Sequence, residues 1–319
     1  MSRSAAEDTL NPTPLSSAPA IAFVGLGVMG EPMCRHLVQK SGLPVRAFDT
    51  QPEPLQRLAA QGVRACASLA AAVRGADTVW LSLPSGEVLH EVARASDGLL
   101  ALAHAGQTVV DLGTSPVDLT RALAAQFAQR GAVFVDAPVA RTRAAAEAGQ
   151  LSVMVGAEPA VFERLLPLLG TFGSDVTRCG PVGCGQVVKI LNNMVLFETV
   201  LALGEAKAIG ERAGVDVALL FDTLAKGSAD SFALRNHGMK AMLPGDFPER
   251  AFSVRYARKD LLHALRLAEQ TGVDARGAHT VDGWLRAAID AGLGDRYHPV
   301  ISRLIAGTGH AHAPAGQSD

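Results

Sequence analysis

The sequence predicts an α/β chain: a doubly wound, mainly parallel sheet comes first, then an all-α domain joined to it by a long interdomain helix. Three observations predict this. Short apolar runs alternate with helical segments from Ile21 to Val155, the pattern of repeated βαβ units. A glycine-rich turn follows the first run. After Gly185 no strand-like run returns, and helical periodicity takes over. The 319 residues suit two domains, and with 48% hydrophobic against 19% charged residues both can be given a core.

Ile21–Val24 is a continuous apolar run, as expected of a parallel strand buried on both faces. Helical spacing follows to Lys40. Val45–Phe48 reads as a second strand, closed by Asp49. Leu55–Gln61 is helical, and Val63–Cys66 is a shorter-ranged strand candidate. Thr78–Leu83 is a strand stopped by Pro84, and Thr108–Asp111 and Ala132–Val135 follow. Leu151–Val155 reads as a late strand, with antiparallel pairing left open. Helices are expected over 185–212, 216–225, 229–240, 255–271, 276–291 and 297–305. The expected domains are therefore 19–182, a sheet domain, and 183–306, a helical domain. Residues 1–18 and 307–319 are small and polar, without an apolar signal-peptide core, and are expected to be a disordered leader and tail.

Composition narrows the partners. Net charge is -2 with basic residues scattered, which argues against nucleic acid or an anionic membrane. Val187–Leu203 comes closest to a membrane span, but Lys189, Asn192, Asn193 and Glu198 interrupt it. Cys34, Cys66, Cys179 and Cys184 form no C-x-x-C pair and have no histidine at metal spacing. No metal site is expected, and the thiols suit a reducing, cytoplasmic setting.

Gly25-Leu26-Gly27-Val28-Met29-Gly30 is a G-x-G-x-x-G that follows a strand and opens a helix, and Asp49 lies at the next strand end. That is the context of a Rossmann dinucleotide fingerprint. The first glycine permits the turn, the second lets a pyrophosphate approach, and the third lets helix and strand pack. Asp49 would accept from ribose hydroxyls and repel a 2′-phosphate, and Thr50-Gln51-Pro52 follows it rather than arginine. NAD is therefore favoured over NADP, with Arg46 and Arg57 as the residues able to reverse this. Leu83-Pro84 and Thr114 stand at later strand ends, where they either line the nicotinamide half or form ordinary turns.

Gly180 to Asn193 runs from a glycine-rich turn into an apolar helix that carries Lys189, Asn192 and Asn193 on one face. A lysine cannot be buried there alone, so it faces a cleft, a partner or water. It serves either in proton transfer or in a structural ion pair.

These motifs, in this order over residues 20–305, resemble the β-hydroxyacid dehydrogenase family, which includes 3-hydroxyisobutyrate dehydrogenases and 2-hydroxy-3-oxopropionate reductases. The resemblance implies that Lys189 is the catalytic lysine and Asn192 its helix-mate. It implies a substrate segment from Asp136-Ala137-Pro138-Val139 to Leu151, placing Val139, Ala140, Arg141, Thr142 and also Asn193 at the substrate. Lys259-Asp260-Leu261 is similar to the late cofactor-contacting segment, with Lys259 near the nicotinamide ribose. A small anionic aldehyde or hydroxy acid is the implied partner, and a homodimer or homotetramer the implied assembly. One departure stands out. The family usually has Ser-Gly-Gly where this chain has Ala140-Arg141-Thr142, similar to the Arg-Thr of sulfolactaldehyde reductases. Arg141 would offer a bidentate fork to a carboxylate or sulfonate; otherwise it points to solvent or to cofactor phosphates. The rival of another class is a dinucleotide-binding scaffold without catalysis, which the pairing of Lys189 with Asn192 disfavours.

Overall fold

The computed structural model describes residues 20–249 and 251–307; the leader 1–18 and the tail beyond Gly307 lie outside them. Gly307 itself, expected in the tail, closes the last helix, Ile301–Gly307. The chain divides into two compact units. The first runs to Gly113 and resumes over Asp118–Gly185; the second takes Thr114–Val117 and everything from Gln186.

The first unit carries nine strands: β1 Ile21–Val24, β2 Val45–Phe48, β3 Arg64–Ala65, β4 Thr78–Leu81, β5 Thr108–Asp111, β6 Val133–Asp136, β7 Val139–Ala140, β8 Leu151–Gly156 and β9 Gly173–Gly180. They form one sheet in the order β3-β2-β1-β4-β5-β6-β8-β7, with β9 added against β8. The first six are parallel. Order reverses between β1 and β4, and the crevice outside the carboxyl ends of strands at such a reversal is where ligands bind in open α/β sheets. Side chains alternate across the sheet. Ile21, Phe23, Trp80, Val110 and Val135 enter one core, whereas Ala22, Val24, Val79, Leu81, Val109 and Phe134 enter the other. This explains the unbroken apolar runs.

Two details differ from the sequence reading, and one left open by it, the pairing of β8, is answered. The helix after β2 is Pro52–Ala59, begun three positions earlier because Pro52 occupies its first position, where a missing N–H costs nothing. β8 is antiparallel to β6 and β7 and parallel to β9. β9 was not expected at all: Gly-Ser-Asp-Val-Thr-Arg-Cys-Gly has no apolar run, since Ser174, Asp175, Thr177 and Arg178 are all exposed. Backbone pairing with β8, with Val176 packed on the core, makes it a strand.

The second unit is helical: Cys184–Arg212, Val217–Leu224, Val254–Thr271, Arg276–Asp290 and Ile301–Gly307, with a short 3-10 turn at His298–Val300. Side-chain caps start two of them. Asp216 accepts from Leu219 N–H at 2.9 Å and Ser253 from Tyr256 N–H at 3.3 Å. The 29-residue Cys184–Arg212 helix is long and apolar enough to cross a membrane. Here Phe197, Val200, Leu201 and Leu203 pack instead into a core with Phe221, Leu261, Leu285 and Val300. The helix expected over 229–240 is a π-helix over Leu234–Met242. Its buried positions, Leu234, His237, Gly238, Ala241 and Met242, also suit α-helical spacing, so the wider turn leaves no mark in the pattern.

His237 lies in that π-helix with 4% exposure, and its ring centroid is 5.2 Å from that of His298, itself 1% exposed. Tyr297 Oη bonds His237 Nδ1. Burial pulls the His237 imidazole down to about 4, and burial followed by the neighbouring His237 lowers His298 as well. The unfolded chain binds these protons near pH 6.5 and the folded chain does not. Stability is therefore lost as pH falls below about 6.5, and the loss from His237 levels off below about 4. His237 alone accounts for up to about 3 kcal/mol. Thermal melts should show Tm falling from pH 7 to pH 5, and His237→Asn should flatten that slope; an unchanged slope would place the acid sensitivity elsewhere.

Candidate active site

The three fingerprint glycines have three separate structural reasons. Gly25 has φ +91°, and a Cβ there would collide with the Ser82 carbonyl after β4. A Cβ on Gly30 would collide with the Gly25 carbonyl. Both positions are closed by backbone. Gly27, by contrast, has nothing within 4 Å of where its Cβ would stand. The helix Gly30–Lys40 that follows has no side-chain cap at Met29. Open space at Gly27 beside a helix start without a side-chain cap is the arrangement a pyrophosphate needs, so the residues present fit a dinucleotide. Val28 is exposed and Leu26 buried, which fixes which side of the loop faces outward.

Asp49 ends β2 and holds this loop. Its Oδ2 accepts from Leu26 N–H at 2.5 Å and its Oδ1 from Gln51 N–H at 2.7 Å. Arg57, one of the two residues able to favour NADP, forks onto Glu31 in the first turn of the loop's helix, at 2.7 and 2.8 Å. That bond, above all, holds the Glu31 carboxyl below its usual range. Leu83 lies beside the loop, its Cδ2 3.4 Å from the Cβ position of Gly25, and Pro84 is exposed.

The expected substrate segment is β7 and the turn after it. Val139 is half-buried, Ala140 buried, and Arg141 and Thr142 exposed. The Arg141 fork is not open. Nη1 donates to Gln150 O at 2.7 Å and to Ser174 Oγ at 2.8 Å, and Nη2 to Asp175 Oδ2 at 2.6 Å. Ser174 first, then Arg141, lowers the pKa of Asp175. Thr142 Oγ1 accepts from Ala145 N–H at 3.3 Å and caps the short helix Arg143–Ala148. Neither Ser174 nor Asp175 was singled out from the sequence, because β9 has no periodic signal. Asp136 is fully buried and accepts from Gly183 N–H at 2.7 Å. Gly156, at the end of β8, and Gly185, in the first turn of the lysine helix, leave no room for a Cβ beside its carboxylate.

In the second unit Lys189 is half-buried on the Cys184–Arg212 helix. Burial lowers its pKa, Asp260 works against that, and Lys259 adds to it. Asp260 is 1% exposed in the middle of the Val254–Thr271 helix. It accepts from Asn193 Nδ2 at 2.8 Å and pairs with Lys259 Nζ at 3.2 Å. Asn192 is exposed, and its Nδ2 donates to Asn193 Oδ1 at 3.2 Å. Asn193, expected at the substrate, is thus 2% exposed and turned to Asp260. Lys259 lies 4.0 Å over the Tyr256 ring; burial opposes its charge, but Asp260 and Tyr256 outweigh that and raise its pKa. Thr114 is buried, and the adjacent Ser115 N–H donates to the buried Gln186 Oε1 at 3.0 Å.

The glycine geometry separates folding from binding. Gly25→Ala should lower Tm by several degrees, because φ is unsuited and backbone blocks the Cβ. Gly27→Ala should leave Tm unchanged yet raise the Kd for NADH about tenfold or more. Equal effects of the two changes on both readouts would contradict this division.

Comparison with known proteins agrees with the geometry. Residues 20–180 match the family described as the NAD binding domain of 6-phosphogluconate dehydrogenase. Residues 183–305 match that described as NAD-binding of NADP-dependent 3-hydroxyisobutyrate dehydrogenase. The chain is 34% identical to 2-(hydroxymethyl)glutarate dehydrogenase of Eubacterium barkeri, over 79% of this chain and 83% of that one. It is 35% identical to 3-hydroxyisobutyrate dehydrogenase of Pseudomonas aeruginosa, over 80% and 86%. A solved structure of Mycobacterium tuberculosis 3-hydroxyisobutyrate dehydrogenase with L-serine superposes with a TM-score of 0.82 at 31% identity, covering 90% of this chain and 99% of that one. With a dinucleotide loop, a lysine helix and matches across both units, the chain belongs to the β-hydroxyacid dehydrogenase family, oxidoreductases similar to 3-hydroxyisobutyrate dehydrogenase that use a nicotinamide dinucleotide.

Proposed function

We propose that the protein interconverts a small 3-hydroxy acid and its 3-oxo acid (a semialdehyde) with NAD, using Lys189 as general acid and base. The observation that carries this is the half-buried Lys189, its pKa lowered by burial and restrained by Asp260. A lysine whose pKa is lowered by burial gives up its proton more readily than a free one, as a general base must. The nicotinamide supplies hydride acceptor or donor chemistry when bound. The remaining work falls to the chain. Neutral Lys189 takes the hydroxyl proton in oxidation, and its ammonium returns one to the forming alkoxide in reduction. Asn192, exposed one turn along the same face, is suited to hold the substrate hydroxyl or carboxylate.

The names of the relatives support hydroxy acids as the substrate class, with 3-hydroxyisobutyrate the first to try. The sulfolactaldehyde alternative rested on an open Arg141 fork, and that fork is bonded to Asp175. NAD over NADP is supported by Asp49 at the end of β2 and by the Arg57 fork resting on Glu31. Assays of 3-hydroxyisobutyrate, L-serine and tartronate semialdehyde with each cofactor test the proposal directly. Lys189→Ala should lower kcat by about a hundredfold or more while NADH still binds; full turnover in that variant would sink the proton role.

Asp260 raises the Lys189 pKa. Asp260→Asn removes that influence, so Lys189 should lose its proton at lower pH. The acid limb of the kcat/KM profile for oxidation should then move down by about one pH unit. A limb that stays in place, or moves up, would separate Asp260 from the proton transfer.

A further inference from the structure

Arg141 is the one non-glycine residue with positive φ among the described residues, at +87°. That region suits glycine, and another L-residue stays there when its surroundings hold it. The position aligns with the first glycine of the Ser-Gly-Gly that the family usually has in its substrate segment, and a positive φ is a conformation that glycine adopts without strain.

The surroundings that hold it come from three strands. Ala140 in β7 pairs with Ser152 in β8, and Ser152 pairs with Asp175 in β9. Between Leu151 and Ser152 the β9 register jumps from Gly173 to Asp175, so Ser174 is the extra residue of a bulge. A bulge re-aims side chains. Here Ser174 and Asp175 both meet the guanidinium, and Ser174 Oγ also donates to Asp175 Oδ2 at 2.8 Å. With Gln150 O, the three Arg141 bonds tie the residue after β7 back across β8. The next arginine, Arg143, pairs with Glu147 and does not compete for Asp175.

We propose that Asp175, with Ser174, is a positioning residue for the substrate segment: through the Arg141 guanidinium it holds Arg141 at its positive φ between Ala140 and Thr142, so that the backbone of this turn, not the guanidinium, meets the substrate carboxylate. This rests on the substrate reading given above. It assigns specificity to a strand outside the family motifs, and it makes Arg141 and Asp175 one unit.

A double-mutant cycle tests it. Asp175→Ala removes the clamp and leaves Arg141 strained. It should raise KM for 3-hydroxyisobutyrate about tenfold with kcat little changed, and lower Tm by a few degrees. Adding Arg141→Gly relieves the strain, so the double variant should recover much of both losses. NADH binding, measured by fluorescence, should be the same in all variants. Three results would overturn the proposal: an unchanged KM and Tm in Asp175→Ala, a double variant no better than Asp175→Ala, or Arg141→Gly alone raising KM more than Asp175→Ala does. The last would make the guanidinium itself the anchor. A wild-type enzyme inactive on 3-hydroxyisobutyrate would count against the substrate reading instead, and the Tm cycle would still decide the clamp.

Discussion

Burying the Asp260 carboxylate to 1% exposure sets the terms for the second unit. A carboxylate that deep is tolerated when donors surround it. Asn193 supplies one from the long helix and Lys259 supplies another from the preceding position. Asn193 is held in turn by Asn192. The two helices are thereby fixed at one level, and the negative charge is fixed beside Lys189. Two opposing effects then act on the same ammonium. Burial favours the neutral amine, and Asp260 favours the ion. The two effects oppose one another at Nζ, the atom to which the proposed proton transfer is assigned.

The first unit depends on backbone clearances rather than charges. Gly25 and Gly30 are places where main chain meets main chain, and Gly27 is a place left empty. One motif thus contains folding glycines and a binding glycine. Arg141 shows another answer to a left-handed backbone. A side chain is permitted where a bulge on β9 brings an anion to restrain it. The Arg141 guanidinium there carries bonds to Gln150 O, Ser174 Oγ and Asp175 Oδ2.

How far the sequence was legible follows from the range of the forces involved. The parallel strands were legible because burial on both faces writes a local apolar run, and the cofactor loop because its constraints fall within six residues. Lys189 was legible as a charge in an apolar helix. β9 was not, since most of its side chains face water and Val176 alone among them packs on the core. Nor was the Arg141 clamp, whose partner lies 34 residues away on that same unseen strand. Asn193 shares a face with Lys189 in sequence, yet it turns to a carboxylate 67 residues distant. Spacing shows which residues share a helix face, while long-range partners decide what each does there.

Cofactor choice illustrates how closely structure and recognition are joined. Asp49 is commonly described as a ribose acceptor at the end of the second strand. Here both its oxygens already accept loop amides, Leu26 N–H on one and Gln51 N–H on the other. A carboxylate has about four acceptor positions, so capacity for ribose hydroxyls remains, but the group is also a strut of the loop. Removing its charge to admit a 2′-phosphate would loosen the turn that carries Gly27. Of the two arginines named for a 2′-phosphate, Arg57 is forked onto Glu31. Asp49 is thus part of the loop's framework as well as a candidate ribose acceptor, and a substitution there acts on both roles at once.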